Sequence, residues 1–289
     1  LPTQCDESRT SVAMGDIDLD GDLEMAGGCT SGWETQVFSD TGSFVWTYSQ
    51  PNHYDWWHSS PAMCDVNPDR KGLEVIAAEY FSGKVFCFSS TGVMLWTFDT
   101  GGMVDASPAC ADIDYDGVVE VVIGAVHPQG KPHYIYALNG MTGAVEWKHW
   151  IQQPSTCCNR AVHSSAAIAD IDLDEQMEVI FGANDGGIRC LRGRDGTLKW
   201  TYWTQGSVYS SPAIGDVDAD GALEVVVGSN DGRIYCLNGI GGVANFEWFY
   251  QTGGAVISSP ALANRGTTPG LGIYIGSKDG YLYLLDGLG

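Results

Sequence analysis

A chain of 289 residues with 36 acidic against 14 basic side chains carries a net charge of −22, a field that repels nucleic acid and anionic membranes and attracts cations. Lysine and arginine are too few to build a basic face, and no apolar run approaches the roughly 18 residues that span a bilayer, so nucleic-acid partners and membrane insertion are excluded. The opening residues LPTQCDES lack a basic and apolar leader, so secretion requires that this numbering begin after a removed signal.

Taken in chain order, one segment returns six times. It reads SVAMGDIDLDGDLEMAGG from Ser11, SSPAMCDVNPDRKGLEVIAAEY from Ser59, SPACADIDYDGVVEVVIGAV from Ser107 and SSAAIADIDLDEQMEVIFGAND from Ser164. The fifth copy is SSPAIGDVDADGALEVVVGSNDGRIYCLNG from Ser210, and a degenerate sixth runs SSPALANRGTTPGLGIYIGSKDGYLYLLDG from Ser258. The first acid of each loop is Asp16, Asp65, Asp112, Asp170 and Asp216, with Asn264 in the sixth copy, at spacings of 46 to 58 residues.

Each copy offers four strand candidates. In the fifth they are SSPAIGDV, LEVVVGSN, GRIYCLNG and NFEWFYQT, divided by DADG, NDG and GIGG. Short β-branched runs bounded by Gly, Asn and Asp are strands rather than helices. Four antiparallel strands at a period near 50 residues predict an all-β, six-bladed β-propeller forming a single domain over residues 1–289. Its blades fall at 11–50, 59–100, 106–152, 164–205, 210–252 and 258–289. A solenoid of parallel coils is the competing architecture, though its repeats are usually shorter. Trp46, Trp96, Trp147, Trp200 and Trp248 recur at a fixed offset and are expected at blade interfaces. The sixth copy has no Trp strand, so residues 1–5 are expected to supply the fourth strand and close the ring. The alternative is that this strand pairs with a neighbouring molecule and builds a polymer.

Four loops read D-x-D-x-D-x-x-x-E: Asp16, Asp18, Asp20, Glu24; Asp112, Asp114, Asp116, Glu120; Asp170, Asp172, Asp174, Glu178; and Asp216, Asp218, Asp220, Glu224. The second copy reads Asp65, Asn67, Asp69 and, after one extra residue, Glu74. Gly21, Gly117 and Gly221 follow the third acid and allow a tight turn, whereas Glu175 stands there in the fourth copy. Carboxylates gathered on one turn repel one another unless a cation compensates. Hard oxygen donors on a flexible loop suit Ca²⁺ better than Mg²⁺ or zinc. About five structural calcium ions are therefore expected; plain Asx turns are the simpler alternative.

Just ahead of the first strands lie Arg9, His58, Asp105, His163, Tyr209 and Ile257, with Trp57 beside His58. Trp57, His58, Asp105, His163 and Tyr209 form the candidate ligand-binding set at the propeller mouth, the alternative being the lining of a wet channel. Among nine cysteines, Cys87, Cys190 and Cys236 sit in equivalent apolar runs as core residues, and Cys157 and Cys158 are adjacent. No Ser-His-Asp order, phosphate loop or HExxH occurs, and no residue is assigned a catalytic role.

The TGAVEW-type turns with preceding ALNG resemble the Trp-docking repeats of PQQ-type quinoprotein propellers. The DIDLDG and DVDADG loops resemble the FG-GAP repeats of integrin α-subunit heads. Both resemblances cover essentially the whole chain and imply a propeller; they say little of function, because both families are functionally diverse. The Cys157–Cys158 pair resembles the vicinal disulfide of quinoprotein alcohol dehydrogenases, which implies a PQQ-dependent oxidoreductase as one alternative. Those enzymes have about twice this length, and their calcium ligands and catalytic Asp are not found here. Separate disulfides or free thiols remain open for the pair, and a calcium-dependent polysaccharide lyase is a further enzyme alternative. The reading reached is a secreted, cell-surface or periplasmic calcium propeller. It acts without catalysis as a binding, adhesion or self-assembling module for a protein or glycan.

Overall fold

The computed structural model describes residues 10–29, 34–49, 58–128, 131–151, 162–266 and 269–288. The chain divides into two compact units, Leu1–Ile151 and Gln152–Gly289, each holding three sheets. In unit 1 the sheets comprise Ala13–Gly15, Glu24–Cys29, Glu34–Phe38 and Phe44–Ser49; Ala62–Cys64, Glu74–Ala78, Lys84–Phe88 and Met94–Asp99; and Ala109–Ala111, Glu120–Ala125, Tyr134–Asn139 and Val145–Trp150. In unit 2 they comprise Ala167–Ala169, Glu178–Gly182, Gly187–Arg192 and Leu198–Trp203; Ala213–Gly215, Glu224–Gly228, Arg233–Asn238 and Asn245–Gln251; and Ala261–Asn264, Leu271–Gly276 and Leu282–Leu285. Each strand pairs antiparallel with its neighbour in sequence, which is the blade topology expected and rules out a parallel solenoid. The sixth sheet has three strands among the described residues. Residues 1–5, expected to add the fourth, lie outside them.

The burial of each strand follows its composition. Second strands such as EVIAA and EVVVG are buried along their whole length, as continuous apolar runs must be when both faces are covered. Fourth strands alternate, and the Trp is the buried member in VEWKHW and MLWTFD. Within each unit the core therefore lies between successive blades. Ile17, Val37, Trp46, Phe86 and Phe88 form one such cluster and Val66, Ile76, Trp96, Val121 and Leu138 the next. In unit 2, Ile171, Trp200, Val225 and Leu237 form a third.

Three of the tryptophans dock on the next blade through their ring N–H, whereas Nε1 of Trp200 is buried without a hydrogen bond. Trp46 Nε1 donates to the Ser90 carbonyl of the next blade at 2.9 Å, Trp96 to Gly140 at 2.7 Å and Trp248 to Gly287 at 2.7 Å. The serine openings perform two tasks. The first hydroxyl holds the second strand of its own blade: Gly182 N–H donates to Ser164 Oγ at 3.1 Å and Gly228 N–H to Ser210 Oγ at 3.0 Å. The second accepts from the preceding blade: Ser60 N–H donates to Ser107 Oγ at 3.0 Å and Ser165 N–H to Ser211 Oγ at 2.9 Å. A disulfide joins Cys64 to Cys110 across the first strands of blades 2 and 3. Among the described residues no helix is long and apolar enough to cross a membrane.

Candidate metal centres

Each acid loop joins the first strand of a blade to the second. Its second residue is apolar and buried (Ile17, Val66, Ile113, Ile171 or Val217), which anchors the loop in the core and turns the flanking acids outward. The closing glutamate begins the second strand and is itself buried. Its Oε2 accepts from the anchoring residue's backbone N–H in all five loops, at 3.0, 3.2, 2.9, 3.2 and 2.8 Å in chain order.

The turn needs two left-handed residues. The fourth position, Leu19, Tyr115, Leu173 or Ala219, has φ of 65°, 61°, 58° and 66°, a strained choice for a side chain with a Cβ. The sixth position is Gly21, Gly117 or Gly221, whose N–H donates to Oδ2 of the first aspartate. Glu175 takes that place in blade 4 with φ 64° and makes the same bond to Asp170 at 2.9 Å. The Asx-turn bonds weighed as a simpler reading are present as well, such as Asp220 N–H to Asp218 Oδ1 at 3.1 Å.

This turn brings together Asp16, Asp18 and Glu24; Asp112, Asp114 and Glu120; Asp170, Asp172, Asp174 and Glu178; and Asp216, Asp218 and Glu224, with one oxygen of each within 4.8 Å of the others. Asp20, Asp116 and Asp220 stay outside their clusters. The sequence predicts five equivalent sites; four such clusters of carboxylates form among the described residues, and in the second loop Asn67 stands where the other four have an aspartate, leaving Asp65, Asp69 and Glu74 as its acids. The second loop also differs at Pro68. It occupies the position that is left-handed in the other four loops, and its ring holds φ near −65°. The second loop turns later instead, at Gly72 with φ 89°.

The clusters crowd negative charge into a poorly hydrated corner. Burial, partly offset by the Ile113 N–H and reinforced by Glu146, Asp114 and Asp116, pushes Glu120 up to about 8. Burial likewise lifts Glu224 to about 7, against the Val217 N–H and with Glu247 adding to the rise. Glu24 and Glu74 are raised for the same first cause. Blade 4 is different. Lys199 Nζ lies 2.6 Å from Asp172 Oδ2, 2.9 Å from Glu178 Oε1 and 3.5 Å from Asp174 Oδ2. Burial lowers the Lys199 pKa, but its bonds to Asp172 and Glu178 raise it more and the net shift is upward.

Ahead of the first strands, His58 Nδ1 lies 3.4 Å from Asp105 Oδ1 in unit 1, with the His58 ring 4.4 Å from that of Tyr80. In unit 2, His163 packs on Tyr209 at 5.3 Å. Tyr80 joins this set without a signal in the repeat, since it lies in the turn after a second strand. Trp57, Cys157 and Cys158 lie outside the described residues. Cys87, Cys190 and Cys236 are buried free thiols, and burial pushes all three above the ordinary thiol range.

Residues 170–227 match the FG-GAP-like repeat family. No curated protein sequence matches the chain. Among solved structures, BamB from Moraxella catarrhalis is similar with a TM-score of 0.68 at 18% identity, covering 98% of this chain and 75% of that one. Sqt1 from Saccharomyces cerevisiae is similar with a TM-score of 0.67 at 12% identity, over 97% and 76% of the two chains. Quinohemoprotein alcohol dehydrogenase from Comamonas testosteroni gives a TM-score of 0.60 at 16% identity, over 96% of this chain but 46% of that one. At these identities the likeness is one of fold. The chain has the fold of a β-propeller repeat protein, and residues 170–227, which include the fourth and fifth acid loops, are similar to the FG-GAP-like repeat.

Proposed function

We propose that the chain is an extracytoplasmic, calcium-stabilised propeller acting without catalysis as a binding, adhesion or scaffold module for a protein or glycan. The observation that carries this reading is the return of one acid cluster, closed by a buried glutamate, at the same corner of blades 1, 3, 4 and 5. Carboxylate oxygens on a short loop are calcium donors, and the ion is structural here because it fastens the first strand to the second. Calcium at extracellular levels then stabilises the folded state by mass action. The Cys64–Cys110 disulfide supports an oxidising compartment. Partner binding is supported by aromatic rings that the fourth strands leave exposed, Trp150 in unit 1 and Trp203, Phe246 and Phe249 in unit 2, a residue class enriched at recognition surfaces. Closure of six blades through residues 1–5 belongs to this reading, with polymerisation through the same strand as its alternative.

Thermal unfolding in calcium and in excess EGTA, with metal content per chain, tests it. Bound calcium and a lowered melting temperature on chelation are expected; no metal and no effect of EGTA overturn the reading. A second reading, an enzyme at the mouth, rests on the His58–Asp105 pair. Dye reduction on adding PQQ, or unsaturated product from a polyuronate, abolished in His58→Ala, would favour it.

A further inference from the structure

The pairing of third and fourth strands slips by one residue at the same place in five blades, just before the Trp. The extra residue is Val45, Leu95, Glu146, Lys199 or Glu247. A bulge of this kind re-aims a side chain, and in blade 4 it delivers Lys199 to the acid loop. There the ammonium touches three of the four clustered carboxylates, its side chain 6% exposed against 8% for Asp172 and 0% for Glu178. Its three N–H donors meet Asp172 and Glu178 at hydrogen-bond distances of 2.6 and 2.9 Å and Asp174 at 3.5 Å, so a compact positive charge already sits among the carboxylates.

Blades 3 and 5 present the complementary case. The bulge places a carboxylate, Glu146 or Glu247, near the loop but outside its cluster of three acids, held by Asn139 Nδ2 donating to Glu146 Oε1 at 3.0 Å and by Cys236 Sγ–H donating to Glu247 Oε2 at 3.5 Å. The oxygen that Lys199 meets in blade 4 has no partner here: Oε1 of Glu120 and of Glu224 is buried without a hydrogen bond, on residues that are 0% exposed. Oδ1 of Asp112 and of Asp216 is likewise unpartnered, whereas Oδ1 of Asp170 accepts from Asp174 N–H in blade 4. Buried carboxylate oxygens are costly to leave unmatched. Where the bulge adds positive charge the closing glutamate's Oε1 is matched, although Oδ1 of Asp172 has no hydrogen bond; where it adds negative charge that Oε1 is unmatched.

The geometry points to the bulge residue as the determinant of what each loop holds. Glu146 and Glu247 complete divalent-cation sites in blades 3 and 5, while Lys199 is the resident cation of blade 4, which takes no divalent ion. The inference rests on the calcium reading above and assigns its ligands.

Equilibrium dialysis of the full chain against calcium tests it, with the variants K199M, E146K and E247K. Each lysine insertion is expected to remove one tightly bound ion, and K199M to add one that K199M/D172N loses again. E146Q and E247Q weaken one site each by about tenfold or more, because ligand charge sets calcium affinity. A wild-type chain that binds no calcium overturns the calcium reading itself. Calcium binding that is unchanged in E146K and E247K, or an ion lost from the wild type in D172N, overturns only the bulge assignment. Should K199M fail to fold, the two lysine insertions decide the matter, since Glu146 is exposed and Glu247 half-buried.

Discussion

The backbone N–H of Val217 donates to Oε2 of Glu224 at 2.8 Å, so the carboxyl that closes the loop also holds the loop's own backbone in place. The two roles separate by substitution. Glu224→Ala leaves that N–H buried and unpaired, a loss of about 1–3 kcal/mol, read as a lower urea midpoint in EGTA. Glu224→Gln keeps an acceptor and removes a crowded charge. It should match or exceed the wild type in EGTA, yet gain less melting temperature on adding calcium.

The raised carboxyls set a pH trend. Glu120 at about 8 and Glu224 at about 7, lifted chiefly by burial, hold protons that the unfolded chain has already released above about pH 4.3. Between about pH 5 and 8 the folded state therefore binds more protons, and stability falls as pH rises. Asp195 and Asp279 are shifted down, first by hydrogen bonds from Thr197 and Tyr283. Their contribution is present at neutral pH and is lost only below about pH 4. Calorimetry in EGTA should show a melting temperature that declines from pH 5 to pH 8, and calcium should flatten or reverse the decline. A rise across that window in EGTA contradicts the argument.

Trp96 couples blades 2 and 3 through its ring and its N–H. It is buried, donates to Gly140 at 2.7 Å, and its ring would lie 2.7 Å from a Cβ placed on Gly143, where φ is 70°. Trp96→Phe loses the hydrogen bond, about 1 kcal/mol, and some volume. Trp96→Ala costs about 3–5 kcal/mol. Gly143→Ala is expected to destabilise as well, by collision with the ring and by strain at positive φ. Denaturant titration of the three variants should rank alanine at 96 as the worst.

The cysteines divide by environment. Cys87, Cys190 and Cys236 are buried with thiols held above their ordinary range, so a thiol reagent should miss them in the native chain and label them after unfolding. Breaking Cys64–Cys110, which spans 46 residues, should cost about 2–4 kcal/mol. Urea midpoints of Cys64→Ala/Cys110→Ala against the wild type check this value.

Much of the molecule is written locally. Alternating acids around a buried Ile or Val, Gly at the sixth loop position and a Trp at constant offset are one-dimensional signals, and the strands fall where those signals put them. The departure of the second loop was legible too: Asn67 stands for an aspartate, the Pro68 ring forbids positive φ where four sister loops have it, and one extra residue precedes Glu74.

Three features needed the tertiary structure. Cys64 stands one residue before its loop and Cys110 two before its own, and only adjacent first strands bring their sulfurs together. The paired serines look like simple repeat punctuation until one hydroxyl is seen to bond within a blade and the next between blades. Lys199, Glu146 and Glu247 each precede the Trp or its equivalent in the sequence. Whether that residue points to solvent or to the acid loop depends on a one-residue slip in strand pairing. Sequence by itself determined the blades and their acid loops, because turn chemistry and apolar periodicity act over a few residues. Tertiary structure alone decided which charge meets each loop, because that charge arrives from a strand paired elsewhere in the blade.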